Sequence, residues 1–196
     1  RDMKKIQTVT EIAVKHEETF FALSHSVAWL PPSYSDIWIS RFFSSKELNH
    51  KRLALLACEL RQDNPGDHLK NILERVDCQN DEPIYSQALK QAGELKRFDR
   101  LPLIRQGLSS LHNRARYWAR YALIMMGENI YLNELKPWMM KETDFKATAA
   151  TLVFRLLPIA DAKNWLLEIL QDAKQIRFAI RACGILGDPQ VIPWLI

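Results

Sequence analysis

A two-helix unit recurs along this chain, and the recurrence limits what it can fold into more than any other feature. The stretch 179-AIRACGILGDPQVIPWL-195 lays over 88-ALKQAGELKRFDRLPLI-104, pairing Ala179 with Ala88, Gly184 with Gly93, Leu186 with Leu95 and Pro193 with Pro102. A third copy, 122-ALIMMGENIYLNELKPWMM-140, keeps the Ala-to-Gly spacing of five, and Pro137 arrives one residue late, as after a one-residue insertion. Fainter copies put other residues in the glycine slot. The slot series Ala28, Cys58, Gly93, Gly127, Arg155 and Gly184 then advances by 30, 35, 34, 28 and 29 residues. Self-similarity at such a period marks an array of supersecondary units.

Each period has room for two helices of about ten residues and a short turn. The first helix ends near the slot, where a small residue permits a tight exit and a close helix approach. The second begins near a proline, tolerated in a first turn because that N–H has no intrahelical partner. Positions 11, 14 and 15 beyond the slot read Ile39, Phe42, Phe43; Leu69, Ile72, Leu73; Ile104, Gly107, Leu108; and Leu166, Ile169, Leu170. This spacing gathers them on one helical face. A lone helix pair cannot enclose such a face, whereas stacked pairs can. Six glycines and 47% hydrophobic residues, with little strand-like alternation, agree with helix. The expectation is an all-α solenoid of about five to six helix pairs forming a single domain over 1–196. Its repeats fall at 20–45, 50–76, 84–111, 115–142, 146–172 and 175–196. Residues 1–20 are expected to form a helix with Ile6, Val9, Ile12 and Ala13 inward, which caps the array together with the first repeat.

The unit resembles the short HEAT-like repeat, in the form AxxxxGxLGDPxxVPxLI found in bacterial HEAT-like proteins and phycobilin lyases. Residues 179–195 carry the pattern most fully, followed by 88–104 and 122–140. The stretch 115-ARYWARYALIMMG-127 also resembles a group of proteobacterial HEAT-like proteins. The resemblance implies a right-handed α-α superhelix that binds other macromolecules and has no fixed catalytic residues. Arg155 in the glycine slot and the missing Asp-Pro in several units mark a degenerate array.

Catalytic signatures are not found. His16-Glu17-Glu18-Thr19-Phe20 begins like HExxH, but Phe20 stands where the second zinc ligand is needed. The five histidines, at 16, 25, 50, 68 and 112, lack metal-ligand spacing. Neither GxSxG, GxxxxGK[ST] nor GxGxxG occurs. The run 112-HNRARYWAR-120 reads as the start of a first helix rather than an acid–base site. No cofactor and no metal are therefore expected, and the chain is read as a non-enzyme. Cys58, Cys78 and Cys183 form no CxxC pair and fit a reducing, cytoplasmic setting. No apolar run is long enough to cross a membrane.

Binding residues are sought on the second helices. The solvent-side positions offer Arg41, Lys70, Arg105 and Lys141 as a positive ridge, diluted by Glu74 and Glu168. Position 10 beyond the slot reads Trp38, His68, Leu103, Trp138, Trp165 and Trp194. Such a ladder could stack on bases or anchor a peptide, and Trp138 and Trp165 are its candidates for binding. It also borders the apolar stripe, where packing between repeats is the simpler role. A net charge of +4 with mixed signs suits a protein surface better than a phosphate track. The sequence thus predicts a scaffold for a protein or peptide partner. The alternative is a nucleic-acid binder of the DNA-alkylation-repeat type. The final unit, opened by Pro193, leaves Ile192, Trp194 and Leu195 without a following repeat, so further repeats or a partner are expected to cover that end.

Overall fold

In a computed structural model of the chain, which describes residues 3–13, 15–140 and 144–195, no strand occurs among the described residues and every regular element is a helix. Two compact units emerge, Arg1–Met126 and Gly127–Ile196. The first holds α1 (Met3–Ala13), α2 (Glu17–Ala28), α3 (Pro32–Ser44), α4 (Leu48–Arg61) and α5 (Asp67–Glu74). It continues with α6 (Val76–Gln79), α7 (Glu82–Glu94), α8 (Leu101–Gln106) and α9 (Asn113–Met125). The second holds α10 (Lys136–Met140), α11 (Lys146–Leu156), α12 (Ile159–Leu170) and α13 (Ile176–Leu186). The repeat read at 115–142 is therefore divided, with α9 in the first unit and α10 in the second.

Both units follow one packing scheme. In residues 1–126 the first helices of successive repeats lie against one another, α2 on α4, α4 on α7 and α7 on α9. The intervening helices pack onto the next first helix: α3 on α4, α5 on α7 and α8 on α9. In residues 127–196, α11 lies on α13, and α12 packs on α13. The apolar stripe of the second helices is what each presents inward. Ile39, Phe42, Phe43, Leu69, Ile72, Leu73, Ile104, Leu166 and Ile169 are all buried. The central helix α7 is covered on nearly every side, burying Ile84, Tyr85, Ala88, Leu89, Ala92 and Gly93.

The glycines of the slot do different physical work. Gly93 permits close approach: a Cβ there would lie 2.5 Å from Ala122 Cα and 2.7 Å from Ala122 Cβ, so α7 and α9 touch nearly backbone to backbone. Gly127 instead has φ +94, with nothing within 4 Å of the site of a Cβ. Its structural counterparts are Lys96, at φ 49, and Gly187, at φ 68, because a 3-10 segment begins two residues after each, at Phe98, Asn129 and Pro189. The third copy is thus three residues out of register in the sequence alignment. The one-residue insertion expected before Pro137 becomes four, since Pro102 follows Lys96 and Pro193 follows Gly187 by six residues and Pro137 follows Gly127 by ten.

The helix expected over 1–20 is broken, with α1 ending at Ala13 and α2 beginning at Glu17, and α1 is rotated from the expected face. Val9 and Ile12 are 52% and 56% exposed, while Thr10 and Ala13 are buried; the side chain of Ile6 lies outside the described residues. The inward face carries the small side chains, so α1 can approach α2 closely. Glu17, at the start of α2, ties that helix to α4 through a two-pronged pair with Arg52, whose guanidinium also lies 4.5 Å from the centre of the Phe20 ring. This bond holds the Glu17 carboxyl below its ordinary pKa. Its contribution is present above the unfolded-chain pKa and is lost as pH falls through the lowered folded value. Because Glu17 is largely exposed, solvent screens the pair, and Glu17→Gln is expected to cost about 0.5–1 kcal/mol near neutral pH. In urea titrations the difference from wild type should vanish in acid; a constant difference across pH would count against the pair.

Candidate functional site

A cleft of about 740 Å³ opens in residues 1–126 between the end of α3, the first turn of α4 and α5. Phe43, Ser44, Ser45 and Lys46 line one wall, and His68, Asn71, Ile72, Glu74 and Arg75 the other, with Lys51 entering from α4. The corner between α3 and α4 is fixed by Ser45, whose hydroxyl accepts from the Glu47 N–H at 3.1 Å and lies 2.9 Å from His50 Nδ1. Across the cleft, the Phe43 and His68 rings lie parallel, 4.3 Å apart between centres.

Lys51 and Arg52 are consecutive on α4, and both are only 7% exposed. Arg52 carries the Glu17 carboxylate described above. Lys51 has no hydrogen-bond or ion-pair partner among the described residues. Its stem is buried and its ammonium opens onto the cleft, and a cation held at one point without a counter-ion carries a cost. Its place in the first turn of a fourteen-residue helix adds to the cost, since that end of the helix dipole is itself positive. The remaining cleft charges do not offset it. Lys46 likewise has no partner among the described residues, Arg75 forks onto Asp77 at 2.5 and 2.9 Å, and Glu74 lies 3.7 Å from Lys70. The Arg75 guanidinium holds the Asp77 carboxyl down to about 2, so Asp77 stays ionised through ordinary pH.

A second cleft, of about 430 Å³, is also lined by Phe43 and His68, and its one cation among the described residues is paired. There Arg61 pairs with Asp36 at 3.0 Å and with Asp63 at 2.6 Å. Cys58 lines it with a buried thiol, pushed up to about 12 by burial and then by the Asp63 charge. Burial also raises the Cys78 and Cys183 thiols. All three are therefore expected to resist iodoacetamide at pH 8 in the folded chain and to react after urea unfolding, as counted by mass spectrometry. Rapid labelling of Cys58 before unfolding would contradict its burial.

The residues singled out in the sequence lie elsewhere. Arg41 is exposed beside Trp38, 5.5 Å from its ring centre, Lys70 is engaged with Glu74, and Arg105 is exposed at the end of α8. Lys141 lies outside the described residues. Trp138 is half-buried with its ring edge-on to Phe145, and Trp165 is half-buried 5.0 Å from the Lys136 ammonium, which is bound to Glu168. The ladder positions Trp38 and Trp194 are half-buried too, as expected at the edge of the stripe. His112, Arg116 and Arg120 make structural contacts: Arg116 donates to Ser110 O at 2.8 Å and Arg120 to Arg116 O at 3.0 Å. Among the described residues no His, Cys, Asp or Glu cluster could hold a metal ion, and no helix is long and apolar enough to cross a membrane.

The cleft residues Lys46, Lys51, Asn71 and Arg75 were not among the sequence candidates. One signal for Lys51 is present in the sequence: with Ala54, Leu55 and Cys58 it completes an i, i+3, i+4, i+7 stripe whose other members are apolar. No family model, curated protein or solved structure matches the chain.

Proposed function

We propose that the chain is a non-catalytic, HEAT-like repeat scaffold, a right-handed stack of helix pairs that binds a protein or peptide along its second helices. The observation that carries this reading is the placement of the large cleft: its two walls come from α3 and α5, the second helices of consecutive repeats. The repeat period and the shared packing scheme of the two units support it. An array of this kind exposes a long, rigid surface, which suits recognition of an extended partner.

The test places a photocrosslinking amino acid at exposed Asn71 in the cleft and, as a control, at exposed Arg155 on α11. Protein adducts specific to position 71 are the expected result. Equal adducts at both positions would remove the reading. Retention on heparin that collapses steeply with salt, together with nucleic-acid adducts at position 71, would favour the nucleic-acid alternative.

A further inference from the structure

We propose that the α3–α4–α5 cleft recognises an acidic peptide segment, seating one of its carboxylates on the Lys51 ammonium. This rests on the scaffold reading and adds the chemistry of the partner. Lys51 is buried along its stem, lacks a counter-ion among the described residues and faces an open cleft, while the charge of its neighbour Arg52 is met by Glu17. An anion brought by a ligand supplies the missing charge without disturbing any existing bond.

The cleft chemistry selects a carboxylate over a phosphate. Arg75, the one guanidinium in the cleft, would offer the two-pronged fork that phosphate prefers, but Asp77 already occupies it. Glu74 on the same wall repels a dianion more than a single charge. Lys51 is a compact point charge, adequate for one carboxylate. Exposed Lys46, likewise without a partner among the described residues, suits a second acid nearer the rim. The volume, about 740 Å³, matches a few residues of chain rather than a lone ion. The occupant is therefore a short segment with one acidic side chain on Lys51 and room for a second at Lys46.

The experiment selects a randomised peptide library on the immobilised full chain, then measures binding of the best peptide by fluorescence anisotropy. Enrichment of one fixed Asp or Glu is expected. Its Asn or Gln analogue should bind at least about tenfold more weakly. Lys51→Met should lose a similar factor, and combining the two changes should add little, since each removes the same contact. Because the peptide analogue leaves the protein untouched, the test survives a variant that folds poorly. Unchanged affinity for the amide analogue, or for a folded Lys51→Met, would overturn the carboxylate contact while leaving a peptide-binding scaffold standing. Displacement of the peptide by inorganic phosphate, or by a short DNA duplex, at concentrations where acetate has no effect would overturn the ligand class. If no peptide is enriched at all, the scaffold reading falls, and this inference with it.

Discussion

Gly93→Ala is expected to destabilise residues 1–126 by about 2 kcal/mol, seen as a lower urea midpoint with little change in slope. The added methyl would meet Ala122 Cα at 2.5 Å and Ala122 Cβ at 2.7 Å. Neither is the tip of a flexible side chain, so the contact is relieved only by moving α7 away from α9. That separation loosens a thoroughly buried helix, in which Ala88, Leu89 and Ala92 have no exposed surface. Overpacking costs about 1–3 kcal/mol, occasionally more, and a backbone obstacle belongs at the upper end. Against it stands a gain of about 1 kcal/mol from replacing glycine within a helix. Gly184 provides the opposite sign from the same repeat position. It lies in α13 with nothing within 4 Å of the site of a Cβ and no positive φ, so Gly184→Ala should gain about 0.4–1 kcal/mol. A Gly93→Ala chain as stable as wild type would show that α7 and α9 do not approach this closely.

That opposition explains how far the sequence could be read. The helix pairs and the buried stripe were legible because apolar periodicity is imposed by burial itself: Leu69, Ile72 and Leu73 face inward in α5 as their spacing requires. The register of the third copy was not, because glycine answers two different demands. Gly93 serves packing and Gly127 serves a left-handed backbone, yet both follow an alanine by five residues. The equivalent of Gly127 in its neighbour is Lys96, a residue with no preference for positive φ, held there by the Arg97 N–H bond to Ala92 O at 2.9 Å. Gln62 does the same after α4, with the Asp63 N–H donating to Cys58 O at 2.8 Å. A composition signal for these exits does not exist, since the surrounding helix rather than the residue enforces them.

The charged residues show a similar division. Arg41, Lys70 and Arg105 were sought by solvent-side spacing, which finds cations on a surface but says nothing about their partners. Lys70 proves to be answered within its own helix by Glu74. Lys51 sits on the apolar side of α4, and what sets it apart is the lack of a partner, which depends on residues brought near from α3 and α5. Only the fold reveals that Glu17 compensates Arg52 and nothing among the described residues compensates Lys51.

Lys51→Met is accordingly expected to make the chain more stable and less able to bind. Methionine keeps the buried unbranched stem, and it removes an uncompensated charge from the positive end of a helix. The expected gain is about 1 kcal/mol, or a rise of about 4 °C in the melting temperature of the unit that contains it. A lysine kept only for its stem would show no such gain, because methionine supplies the same packing. Lys46→Met is the control: an exposed cation at the rim should shift stability by less than about 0.5 kcal/mol. The pairing of increased stability with lost peptide affinity is what separates a binding residue from a structural one. A residue that destabilises its own fold while empty is explained if a ligand carboxylate supplies the missing charge when bound, and adding the selected peptide should then raise the melting temperature of wild type but not of Lys51→Met. A lower melting temperature for Lys51→Met, with wild-type affinity for the peptide, would assign Lys51 to packing alone.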